Sequence, residues 1–166
     1  MATLIAIPIL SILMIFQSAI VSRLSLLQGS ADLILLVVIA WALQERVKSA
    51  WQWSILGGFL VGFVSIIPTI LPVLTYLFIT GIVLLVRRRI WETPILAMFT
   101  LTLFGSLFNQ IITGLVISIG GTPLPILDSL RLIILPSVIL NLILAAPIYA
   151  VMKDFAEWVY PEEIKI

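Results

Sequence analysis

Few residues of this chain could carry chemistry. Asp32 is the one acid near a membrane-length apolar run, in Gly29-Ser30-Ala31-Asp32-Leu33. An acid there can cap the free amides of a helix start and complement its dipole. That is the favoured reading; pairing with Arg23 or facing a partner are the alternatives. Gln17, Asn109, Gln110 and Asn141 are uncharged amides inside apolar stretches. At membrane depth each needs a hydrogen-bond partner, from another helix or from a ligand. Gly57, Gly58 and Gly62 stand in Gly57-Gly58-Phe59-Leu60-Val61-Gly62. The spacing of Gly58 and Gly62 lets helix backbones approach closely, within the chain, between copies, or against a partner helix. Arg87, Arg88 and Arg89 fit a topology anchor, or a site for anionic lipid headgroups. The chain has no cysteine and no histidine. That removes disulfides, thiolate chemistry, the usual zinc sites and a histidine base. No acid or base is expected in the middle of any predicted span, which counts against an ion-coupled transporter. No nucleophile–base pair or aspartate dyad is expected either. The expectation is a protein that is not an enzyme and needs no cofactor and no metal.

These residues sit in a chain of 166 residues that is 62% apolar and 10% charged, with a mean hydropathy of +1.28. Soluble domains carry about 25% charged residues. The charges are also segregated. Residues 1–22, 49–86, 93–127 and 132–152 contain none. A helix needs about 20 apolar residues to cross a bilayer, so the composition predicts an all-α integral membrane protein. Six helices are expected, over about 3–21, 32–47, 50–67, 71–86, 94–119 and 132–152, as one transmembrane domain of residues 1–153. A charged tail, 154–166, follows. Pro68 and Pro72 divide the long middle run, because each proline lacks a donor and disfavours helix just before it. Pro94 suits a helix start. Trp51 and Trp53 are expected at the membrane interface, and residues 125–132 as a short interfacial helix. The second helix has only 12 uncharged residues, Leu33 to Gln44. The first apolar run lacks a basic leader and is read as a retained helix.

Cytoplasmic loops carry the excess of Lys and Arg. With six spans, seven basic residues, including Arg46, Lys48, Arg87, Arg88, Arg89 and Lys153, share a side with both termini, and two face away. Both termini are therefore expected in the cytoplasm. Five spans, with the second helix not crossing and the N-terminus outside, divide the same residues eight to one. A net charge of +1 gives no reason to expect nucleic acid.

The order of several short motifs resembles a known family. Gln17-Ser18 is followed by Arg23-Leu24, by Ala31-Asp32-Leu33 through Trp41-Ala42-Leu43, and by Gly57-Gly58-Phe59-Leu60-Val61-Gly62-Phe63. The last helix reads Leu135-Pro136-Ser137, then Asn141, then Ala145-Ala146-Pro147. The set is similar to the bacterial rod shape-determining protein MreD family, over nearly the whole chain. Ala31 replaces that family's proline, Ser65 an acid often found after the glycines, and Pro68 to Pro72 a Leu-Gly element. The resemblance implies a six-helix bundle like the substrate-binding subunits of energy-coupling-factor transporters. It implies a non-enzymatic scaffold of the cell-elongation complex in the bacterial inner membrane. The implied partner is an MreC-like bitopic protein, and indirectly MreB filaments, RodA and a class B penicillin-binding protein. Gly57, Gly58, Gly62, Asp32 and Asn141 become candidates for helix packing or a partner interface, with lipid contacts at the arginines and a homodimer also possible. A vitamin-binding subunit of such a transporter is the alternative, and would need a pocket at the end of the bundle that carries Asp32.

Overall fold

A computed structural model of the protein describes residues 2–19, 28–88, 93–121 and 125–161. Arg23 and Arg89 lie outside them. The helices are α1 (Ala2–Ala19), α2 (Leu33–Leu43), α3 (Ala50–Val64), α4 (Ile70–Arg87), α5 (Pro94–Ile119), α6 (Ile126–Ser129) and α7 (Leu135–Val159), with a π-helical turn, Leu130–Ile134, joining the last two. Among the described residues there is no strand. Three helical stretches are long and apolar enough to cross a membrane: Ile70–Arg87, Pro94–Ile119 and Leu127–Val159. Helices α1, α2 and α3 are apolar but shorter. Long helices run in alternating directions, since α3 packs antiparallel to α4, and α2 and α7 run side by side with their C-terminal ends together.

Helix α2 is the axis of the bundle. All 11 of its residues are buried, as expected of a helix that is apolar on every side. Its length is about 16 Å, well short of a bilayer core. Helices α3, α4, α5 and α7 surround it, and α1 lies on its outer side.

Three expectations change. Trp53 does not face outward: it is fully buried and stacks on Trp41 with ring centroids 4.5 Å apart. Trp51 is partly exposed; residues two apart point to different sides of a helix. The last helix does not stop near residue 152 but continues to Val159. Its final turns are amphipathic, with Phe155 and Ala156 against the core and Lys153, Asp154 and Glu157 outward. Residues 126–134 are not a separate interfacial helix, because they run into α7 through the π turn. Pro136 accounts for that turn. It has no N–H, and its ring crowds the carbonyl four residues back, Leu132. The displaced Leu132 carbonyl instead accepts from Gln28 N–H at 3.0 Å.

The glycines of α3 are close-packed within the chain. A Cβ on Gly58 would lie 2.6 Å from Val73 Cα, and one on Gly62 would lie 2.6 Å from Thr69 Cγ2. Ser54, one turn before Gly58, accepts from Thr80 Oγ1 at 2.9 Å. The stripe Ser54–Gly58–Gly62 thus faces α4, while Gly57 faces Ile34 and Val38 of α2. A partner helix cannot occupy these faces.

Candidate functional site

A group of hydrogen-bonded polar side chains gathers at the start of α2. The segment before it, residues 28–32, lies extended along α7. Gln28 N–H reaches the Leu132 carbonyl, Ser30 N–H reaches Ser137 Oγ at 3.1 Å, and Asp32 N–H reaches Asn141 Oδ1 at 2.8 Å. The registers match. Two residues of extended chain advance about 6.6 Å, and four or five helical residues advance about 6 to 7.5 Å. Gly29 is required there: a Cβ would meet Ser137 N at 2.6 Å and the Ile133 carbonyl at 2.8 Å.

The strap delivers Asp32 to the N-cap of α2. Its Oδ1 accepts from Leu35 N–H at 3.0 Å, the capping role expected of it. Gln17 Oε1 of α1 accepts from Ile34 N–H at 3.3 Å. A helix start buried in a bundle must find such acceptors for its free amides. Asp32 does more than cap. The Tyr76 hydroxyl of α4 sits 2.7 Å from Oδ2 and 2.9 Å from Oδ1, and Asn109 Nδ2 of α5 donates to Oδ2 at 3.3 Å. Asn141 Nδ2 of α7 in turn donates to Ser106 Oγ of α5 at 2.8 Å. Asp32 and Asn141 therefore tie α2, α4, α5 and α7 together, and Gln17 adds α1. The partners of Asp32 among the described residues are hydrogen-bond donors rather than cations.

Asp32 stands at the start of α2 rather than within a span, as expected, but its contacts go beyond a cap. Asp32 points inward and is partly buried; its accessible side faces a cavity of about 190 Å³ lined also by Ser65, Gln110 and Thr113. Tyr76 was not expected here. A buried tyrosine hydroxyl seeks an acceptor, and in α4, which has no acid of its own, that need was the available signal.

The opposite end of α2 is closed by a cation. Arg87 Nη1 lies 3.0, 2.6 and 3.3 Å from the carbonyls of Ala42, Gln44 and Val47. Positive charge suits a helix C-terminus. Arg87 thus caps α2 as well as ending α4. It shares a cavity of about 200 Å³ with Arg46, Lys153, Glu45 and Glu157, so basic residues gather at the end opposite Asp32. Arg88 is exposed beside it.

Outside the polar cluster, a long apolar furrow runs between α1 and α7. Ile9, Ile12 and Phe16 form one wall, Leu144, Ile148 and Val151 the other, and Leu33 and Val37 of α2 the floor; its volume is about 520 Å³. No group of three or more acids among the described residues could hold a metal ion.

Fold and site together define an all-helical bundle with helices of membrane-spanning length, pinned at both ends of a buried central helix. Compared with protein families, curated proteins and solved structures, the chain matches none.

Proposed function

We propose that this protein is a membrane-embedded, non-enzymatic adaptor that seats the single transmembrane helix of a bitopic partner in the furrow between α1 and α7. The observation that carries this reading is the furrow itself, apolar throughout its lining and open on a bundle whose α3 glycines are already packed against α2 and α4. Lipid gives helices no hydrophobic reason to associate, so a partner must be held by shape and close packing. A furrow three turns long, with the buried helix as its floor, offers that shape.

The motif order supports a particular partner. Three of the residues that carry the resemblance to MreD, Ser137, Asn141 and Gln17, accept in turn from the N–H groups of Ser30, Asp32 and Ile34, on one stretch of backbone. This favours a scaffold of the bacterial cell-elongation complex, with an MreC-like protein in the furrow and the arginine-rich end in the cytoplasm. Co-expression with such a bitopic protein followed by pull-down tests the reading. Ile148→Trp, which fills the furrow, should reduce the recovered partner about tenfold, a cost of about 1.4 kcal/mol. Leu74→Trp on the far face of α4 should leave it unchanged. Equal recovery from both variants would remove the furrow from the account.

One observation favours the second reading, a vitamin-binding subunit. The cavity beside Asp32 is polar and lies at the end of the bundle such a pocket requires. Mass spectrometry of the purified, denatured protein decides this: a co-purified small molecule, with no bitopic partner, would favour it.

A further inference from the structure

A second surface concavity, separate from the furrow, lies on the outer side of α4 near its basic end. Gly81 makes it. The outward stripe of α4 passes through Phe78, Gly81, Leu84, Leu85 and Arg88, and the missing side chain at 81 leaves a dent. Trp51, at the start of α3, leans over that dent; a Cβ on Gly81 would touch its Cη2 at 3.4 Å. Phe78 closes the far side, held by stacking on Phe108 with centroids 4.8 Å apart. The space is about 540 Å³. Its lining is apolar except at one end, where Arg88 supplies the only charge among the lining residues.

We propose that this groove binds one anionic glycerophospholipid, with an acyl chain over Gly81 and the phosphate against Arg88. The shape and the charge both point to that occupant. An indole at the start of a helix marks the headgroup level, so Trp51 and Arg88 sit at the depth of the phosphates while Phe78 and Leu85 reach the acyl region. A guanidinium binds phosphate oxygens in paired hydrogen bonds. A partner helix is a poorer fit, because a charged group at the headgroup level and a dent one residue wide select a chain rather than a helix. The surface potential of anionic lipid adds to the attraction.

The test uses the full chain, purified in detergent and exposed to equal amounts of phosphatidylglycerol and phosphatidylcholine, with bound lipid counted by native mass spectrometry. The wild-type protein should keep one phosphatidylglycerol, preferred about fivefold over phosphatidylcholine, as one arginine at the surface provides. Arg88→Gln should bring that preference close to one, and Arg88→Lys should retain most of it. Gly81→Leu, which fills the dent, should lose the tightly bound lipid of either kind. Equal retention of the two lipids by the wild type would overturn the proposal, and so would an unchanged bound lipid in Gly81→Leu. If Arg88→Gln fails to purify, the Gly81→Leu result decides alone.

Discussion

Replacing Asp32 by alanine is expected to destabilise the protein by about 2–3 kcal/mol. The loss has two parts. The N-cap of α2 contributes about 1 kcal/mol. The Tyr76 hydroxyl, fully buried, and the Asn109 amide each lose their acceptor, at about 1 kcal/mol apiece. Asn109 borders the cavity and can turn toward water, so its share is the smaller. Asp32→Asn keeps the volume and one acceptor oxygen and should cost only about 1 kcal/mol. Tyr76→Phe should cost about 1 kcal/mol, and less than that once Asp32 is gone, because the two side chains share one contact. Denaturant unfolding in detergent of the wild type, the three single variants and the Asp32→Ala/Tyr76→Phe double variant measures all of these values. Additive losses would contradict the shared network, and a neutral Asp32→Ala would contradict the capping role as well.

Gly58→Ala is expected to cost about 2 kcal/mol, although alanine favours helix by about 1 kcal/mol over glycine. The added methyl would meet the Val73 backbone, at 2.6 Å from Cα and 2.9 Å from N. Backbone cannot rotate aside, so α3 and α4 must separate, and overpacking of this kind costs about 1–3 kcal/mol. Gly58→Leu should cost more. Gly114→Ala provides the contrast. A Cβ at Gly114 has nothing within 4 Å, so that change should be neutral or stabilising by up to about 1 kcal/mol. Thermal unfolding in detergent separates the two positions. Equal effects would mean that α3 and α4 are not in the contact described. Any loss of a complex on Gly58→Leu therefore acts through the fold of this chain rather than through a glycine face offered to a partner.

The helix boundaries that were legible are those with chemical punctuation. Pro68 ends α3 a few residues early, Pro94 opens α5, and Arg87 closes α4, because prolines and charges act locally. The burial of α2 was also open to reading: Leu33 to Leu43 has no polar face to turn toward water. Trp51 and Trp53 could not be separated by residue type, since only the position of Trp41 decides which ring is stacked and buried. The final turns of α7 were concealed by their charges. Lys153, Asp154 and Glu157 suggest a solvated tail, while Phe155 and Ala156 between them keep the helix on the bundle. Asp32 was recognisable as a cap from its neighbours in sequence. Its bond to Tyr76 spans 44 residues, and the strap on Asn141 spans 109. No local pattern reports pairings at that range.

The furrow between α1 and α7 is the centre of the functional proposal, and site-specific photo-crosslinking tests it most directly. A photoreactive amino acid is placed at Val151 in the furrow, 65% exposed, or at Leu74 on α4, 55% exposed, in cells that express the candidate bitopic partner. The two positions are similarly accessible, so exposure alone cannot separate them. A crosslink to the partner's transmembrane helix is expected from Val151 and none from Leu74. A crosslink from Leu74 alone, or none from Val151 while the partner co-purifies, would contradict it.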